Sequence, residues 1–340
     1  MAWGLTDKWK QPVYYNFDED MTKENLLRII HELHKINYTV VAVMCDQGGK
    51  NQALYKFLSL TVLDSSFTHL EIIDRKIWFL YDIPHALKNL RNHILDQGLK
   101  LPDGIVLSKQ SFPVLLQIVG YEFSVCYKIG HRHLNVQGQE RQNVRLAAQL
   151  LSESCGRALQ QYLPQYFSQA SVIINIDRAF EVLNSRKIQE VKDERCAYGL
   201  KLQKQNEALK FFTNVIPLSR FLSFKKLLPC QKAPVIAGNA LPKIFNFVQD
   251  KYNVNYVLTS RLNQDALENF FSCVWHIGAS EHPDCSDFEA RIRILLLGLD
   301  VTASLFQSTL VEVQNETDDN TPYCTARNIG FQLSECEVDE

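Results

Sequence analysis

The sequence predicts an α/β protein in which a small sheet-bearing unit is interrupted by a long, mainly α-helical stretch and closed by further helices. Three observations carry this: an unbroken β-branched run behind an amphipathic helix, a change of texture after Asp82, and a return to paired carboxylates after Arg261. Residues 11–16, QPVYYN, are rich in β-formers and predict a strand. MTKENLLRIIHELHKI places Leu26, Leu27, Ile29, Ile30, Leu33 and Ile36 at helical spacing behind Thr22, an N-cap residue type. YTVVAVMC, Tyr38 to Cys45, predicts a strand buried on both faces. Strand, helix and buried strand in succession imply a crossover connection. HLEIIDRKIWFLYD adds one or two strands, and Ile83-Pro84 opens a helix, with proline in the first turn. Helical periodicity then covers 84–96, 143–163, 169–188 (171–176 being ambiguous with strand), 197–213 and 239–252. A closing helix, NQDALENFFSCVWHI, follows, and helical texture continues to about Phe306.

The bulk numbers suit a folded chain with a large core: 340 residues, 46% hydrophobic and 22% charged. No apolar run reaches the roughly 18 residues of a spanning helix. Phe112 to Cys126 comes nearest and is interrupted by Gln117, Gly120 and Glu122. The N-terminus lacks a charged-then-apolar signal pattern. Nine cysteines, an odd number without a CxxC, predict a reducing compartment. The net charge of −2 conceals an asymmetry. From Glu312 onward eight acids accompany a single base, Arg327, so the body is mildly basic and the tail acidic and expected to be disordered. A mildly basic body permits a nucleic-acid partner without arguing for one.

Asp46 and Asp82 both close apolar strands, and in open α/β sheets functional groups collect at the carboxyl ends of strands. Gly48 and Gly49 follow Asp46, so a turn or helix N-cap explains it as readily as a site does. Asp265 and Glu268 lie three apart on one helical face beside Leu262, Leu267, Phe270 and Phe271. Such a pair suits a hard divalent cation and equally suits solvated surface.

The strings KWKQPVYYNF, VAVMCDQGGKNQALYKFL, FLYDIPHALKNLRNHIL, FEVLNSRK and LTSRLNQDALENFFS occur in this order. Together they resemble the P-element transposase family and its THAP-containing relatives, from about Lys8 to Gly298. The resemblance implies an RNase H-like catalytic fold interrupted by a large, mainly α-helical GTP-binding insertion domain. It divides the chain into 1–82, the first RNase H-like part without its first strand; 83–258, the insertion; 259–311, the closing catalytic helix and those after it; and 312–340, the tail. It puts Asp46 on the second catalytic aspartate and Glu268 on the catalytic glutamate, both as ligands of Mg²⁺. It assigns GTP contacts to Lys128, Glu181, Asn184 and Asp265. Glu181 stands where the family has aspartate, and Asn143, flanked by Arg141 and Arg145, where it has a second basic residue, which weakens the expected GTP contact. The implied activity is Mg²⁺-dependent phosphodiester cleavage and strand transfer, in the nucleus or, for a fragment, the cytoplasm. DNA and GTP are the implied partners, with a homo-oligomer possible and no membrane. The family's first catalytic aspartate lies upstream of KWKQP, and Asp7, Asp18 and Asp20 do not share its context. The chain alone is therefore expected to act poorly, and the alternative is a domesticated or relic protein that binds nucleotide, DNA or a partner without catalysis.

Other groupings have simpler explanations. Cys273, His276, His282 and Cys285 are zinc-ligand types at an unusual spacing. His31 and His34 share a helix face, and His85 follows Pro84 in what is expected to be a supporting role. GHRHLN, Gly130 to Asn135, suits a polar loop or a phosphate contact. Basic clusters at Lys88–His93 and Arg220–Lys232 suit either a solvated face or a DNA backbone.

Overall fold

The computed structural model describes residues 1–69, 72–113, 115–116, 128–278 and 283–297. The predicted acidic tail, the helical continuation toward Phe306, His282 and most of the Phe112–Cys126 run lie outside the described residues. The chain forms two compact units: Met1–Glu19 with the residues from Asp265 onward, and Asp20–Gln264.

In the smaller unit β1 (Ala2–Trp3) pairs antiparallel with β2 (Lys10–Gln11). The strand predicted over 11–16 does not form, since pairing ends at Gln11 and Pro12 has no N–H to extend a ladder. Tyr15 and Phe17 instead set their rings against Phe288, with centroids 5.8 and 5.6 Å away.

The larger unit begins with α1 (Lys23–Lys35), whose N-cap Thr22 accepts the Asn25 N–H at 3.1 Å and which buries Leu26 and Ile30. Next come β3 (Ala42–Cys45), α2 (Gly49–Phe57), β4 (Ser66–His69) and β5 (Ile72–Tyr81). The sheet order is β3-β5-β4, with β3 parallel and β4 antiparallel to β5. The run 38–45 is therefore not a strand buried on both faces. Its ladder covers four half-buried residues, because β3 is an edge strand of this sheet among the described residues. The buried strand is β5, where Ile77 to Tyr81 are at most 5% exposed.

From α3 (Ile83–Gln97) the chain makes β6 (Leu99–Lys100) and β7 (Val106–Leu107). The helical stretch follows: α4 (Val144–Leu150), α5 (Glu153–Tyr162), α6 (Phe167–Leu183) and α7 (Leu202–Lys210). A π-helical turn, Phe211–Val215, leads to β8 (Arg220–Phe221), which joins a second sheet of order β7-β6-β8. The single helix predicted over 143–163 is two, because Ser152 caps α5 and takes the Cys155 N–H at 3.2 Å. Residues 171–176 are helical, and α6 stops at Leu183 rather than 188, with Asn184 as its C-cap. Helix α8 (Pro229–Tyr252) starts well before the predicted 239. Pro234 and Pro242 lie inside it and mask its periodicity, and burial of Val235, Ile236, Ile244 and Phe245 offsets the backbone bonds that proline cannot make. It packs on β5 and α3, the Phe247 ring lying 5.7 Å from Trp78. Gly156 lets α5 meet α6 closely: a Cβ there would fall 2.6 Å from Ile174 and 2.9 Å from the Ala170 carbonyl.

The smaller unit ends with α9 (Asp265–His276) and α10 (Cys285–Leu297), joined through Phe270, Val274 and Ile292. Arg291, buried, donates to the Val274 carbonyl at 3.1 Å. No helix among the described residues is long and apolar enough to cross a membrane.

Candidate functional site

The parallel pairing of β3 with β5 sets Cys45 against Tyr81, and the Asp82 N–H donates to the Cys45 carbonyl at 2.9 Å. Asp46 and Asp82 therefore stand together at the carboxyl end of the strand pair. Both raise the pKa of the Cys45 thiol, although burial is the larger cause.

Asp46 is half-buried. Its Oδ1 accepts the Gly48 N–H at 2.9 Å and the Asn51 amide at 2.6 Å. This is an Asx turn leading into α2. A Cβ on Gly48 would lie 2.9 Å from that oxygen, so glycine is needed for the close approach of the carboxylate, not for an unusual φ, which is −57°. The turn is tied to α8 through Gln47, whose amide donates to the Pro229 carbonyl at 2.5 Å. Among the described residues Oδ2 of Asp46 has no hydrogen-bond partner. An oxygen held at one corner and open at the other suits a hard divalent cation. No group of three His, Cys, Asp or Glu that could hold a metal ion gathers among the described residues.

Asp82 is 2% exposed and fully engaged. Oδ2 accepts the His85 N–H at 2.8 Å and caps α3; Oδ1 accepts the Gln264 N–H at 2.7 Å. His85 contributes its backbone N–H to this cap. Beside this bond Asn263 donates to the Asn184 side-chain oxygen at 3.2 Å. Thr259, buried, accepts the Ser185 N–H at 2.8 Å and donates to the Val182 carbonyl at 2.6 Å, while the Thr259 N–H donates to Ser185 Oγ at 3.2 Å. Three of the quoted strings, FLYDIPHALKN, FEVLNSRK and LTSRLNQ, therefore converge here. Sequence reading missed Ser185, Thr259 and Asn263; small polar residues inside otherwise specific strings were the only signal.

The predicted GTP residues divide. Glu181 lies in the last turn of α6 and Asn184 is that helix's C-cap, with Glu181 paired to Arg195 at 2.6 Å. Asp177, one turn earlier, is a buried carboxyl whose pKa rises to about 6 through burial and then through Glu181, opposed by the Glu153 backbone, Lys192 and Arg195. Lys128 stands in an exposed turn. Asn143, at the expected basic position, caps α4 by accepting the Leu146 N–H at 3.0 Å, and Arg141 forms a two-pronged pair with Asp96 at 2.6 and 3.2 Å. Asp265 and Glu268 occupy the first turn of α9, Glu268 exposed, and belong to the smaller unit, whereas Asp46 belongs to the larger. The Lys88–His93 cluster is not a solvent-facing DNA contact. Lys88, Arg91 and Asn92 are buried, and Arg91 and Asn92 donate to the Arg141 carbonyl at 3.2 and 3.0 Å. Burial, then Arg141, lowers the Arg91 pKa to about 10.

Residues 1–59 match the family model described as the TNP-like RNase H N-terminal domain, and residues 84–196 that of the TNP-like GTP-binding insertion domain. The chain is similar to the transposable element P transposase of Drosophila melanogaster, 29% identical over 335 residues. The match covers 96% of this chain and 44% of that protein, so the chain spans less than half of the relative's length. The solved Drosophila P element transposase strand transfer complex matches with a TM-score of 0.83 and 29% identity, covering 88% of this chain and 69% of that one. The architecture is thus an RNase H-like α/β fold with a helical insertion domain.

Proposed function

This chain belongs to the P-element transposase family, and on that premise we propose that it is the core of a nuclear DNA transposase, cutting and joining phosphodiester bonds with Mg²⁺ in a GTP-linked reaction. The supporting observation is the carboxyl end of the strand pair, where Asp46 keeps one oxygen open while its neighbour Asp82 is wholly engaged. Asp46 and Glu268 would hold the metal, which when bound activates an oxygen nucleophile and steadies the leaving oxygen. The Gly48 N–H and the Asn51 amide fix the Asp46 carboxylate, and Asp82 fixes Gln264, the residue before α9. Lys128, Glu181, Asn184 and Asp265 are the proposed GTP contacts, and the insertion that carries the first three runs over 83–258. Arg195 must yield Glu181 if that carboxylate is to meet a guanine edge.

A second reading, a domesticated protein that binds DNA, nucleotide or a partner without catalysis, is favoured by one observation. The Asx turn would hold Asp46 in place whether or not the carboxylate served chemistry. Strand transfer from oligonucleotide duplexes into plasmid, with Mg²⁺ and GTP, separates the two. Transfer that Asp46→Ala and Glu268→Ala each abolish supports the transposase; DNA and GTP binding without transfer supports the second reading.

A further inference from the structure

Cations on the helical stretch are largely neutralised at home. Lys187 pairs with Glu190, Lys192 with Glu153, Lys204 with Asp193 and Lys210 with Glu207. An open cleft there, about 650 Å³ and lined in part by Arg178, Lys204 and Lys210, likewise offers only paired cations.

The β7-β6-β8 sheet and the loop after it differ. Lys100, Arg220, Lys225 and Lys226 have no ion pair among the described residues. Register places Lys100 directly opposite Arg220, while their neighbours Leu99 and Phe221 pair inward and are buried. Two cations facing each other across an antiparallel pair destabilise it. The loop is nonetheless firmly built. The Arg220 guanidinium donates to the carbonyls of Pro217 and Ser219 at 2.7 Å each and of Lys225 at 3.1 Å, and the Leu222 N–H donates to Gly98 at 3.2 Å. His93 props Phe221 from beneath, with ring centroids 5.1 Å apart. Lys225 and Lys226 are exposed on this frame, and Leu222, 58% exposed, stands beside them.

We infer that this outer face, Lys100, Arg220, Lys225 and Lys226, grips the phosphate backbone of DNA without reading its sequence. The cations are spread over two neighbouring strands and a braced loop instead of converging on a pocket, which suits a polyanion better than a single small anion. Binding releases the counterions condensed on the duplex and offsets the repulsion built into the Lys100–Arg220 pair. The inference rests on the DNA partner proposed above.

The test is equilibrium binding of the 340-residue chain to random-sequence duplex DNA across a range of salt concentrations. A double Lys225→Ala, Lys226→Ala variant binds several-fold more weakly, and its slope of log affinity against log salt is shallower by about 2, at about 0.9 per phosphate contact. Lys100→Glu raises Tm, by removing the cross-strand repulsion, and weakens DNA binding. A merely structural role would move both the same way, and that result would overturn the role given to Lys100. Lys187→Ala, whose ammonium already has Glu190, changes neither measurement. If the parent chain does not bind duplex, or binds only phosphatidylserine vesicles, the DNA reading itself fails. If the parent binds and the double variant matches it in affinity and slope, this surface alone is overturned.

Discussion

Asp46 and Asp82 end neighbouring parallel strands, one residue past the paired Cys45 and Tyr81. From the sequence they look alike, a carboxylate closing an apolar run. In the structure Asp82 is buried and spends both oxygens on backbone N–H groups, one of them 182 positions away. Asp46 is half-buried and spends one oxygen on its own turn. The difference separates a carboxylate that holds the chain together from one that remains available. Position at a strand end is shared by both; what distinguishes them is how many lone pairs the fold has already claimed.

Four substitutions break or sharpen this contrast. Asp82→Ala removes a buried acceptor from two half-buried N–H groups and is expected to cost about 2–4 kcal/mol, measured as a lower urea midpoint. A cost below about 1 kcal/mol would place Asp82 with the available carboxylates. Thr259→Val keeps shape but removes the hydroxyl that serves Ser185 and Val182, and should cost about 2–3 kcal/mol; an unchanged midpoint would show that the junction is not held there. Asp177 tests a third case, a carboxyl buried without adequate compensation. Its folded pKa lies above the unfolded value, so stability falls as pH rises from about 4 to about 6 and stays lower above that. Asp177→Asn should therefore be about 1–3 kcal/mol more stable than the parent at pH 7.5, with the gain vanishing near pH 4; a gain independent of pH would contradict this. Asp46→Asn keeps an acceptor for Gly48 and should shift stability by less than about 0.5 kcal/mol while weakening Mg²⁺ binding in calorimetry. Unaltered Mg²⁺ binding would remove Asp46 from the metal site.

Much of this was legible in local pattern. Thr22 announced α1, Pro84 announced the first turn of α3, and the apolar run ending at Asp46 announced a strand end. These signals depend on a few adjacent residues. What was not legible depended on distant partners. Nothing near Asp82 tells that Gln264 will donate to it, and nothing near Ser185 names Thr259. Arg91 looked like a surface cation because charge is usually solvated, yet it is wholly buried and bonded to the carbonyls of a turn about 50 residues on. The extent of α8 was hidden by two prolines that its packing tolerates. Strand β3 was overestimated because an apolar run records hydrophobicity, not pairing, and among the described residues β3 pairs with β5 alone.

The single bond from Gln264 to Asp82 also bears on the history of such a chain. Everything between those two residues leaves from one point and returns to it. Joining the ends of a flexible segment costs entropy that grows only logarithmically with its length, about 0.6 kcal/mol for each doubling. In closure entropy alone, a short hairpin or a whole domain at that point would be almost the same burden. The excursion could be lengthened or shortened with little entropic trace, provided an aspartate waits at the exit, an N–H comes back to meet it, and α8 still lies against β5 and the Gln47 turn.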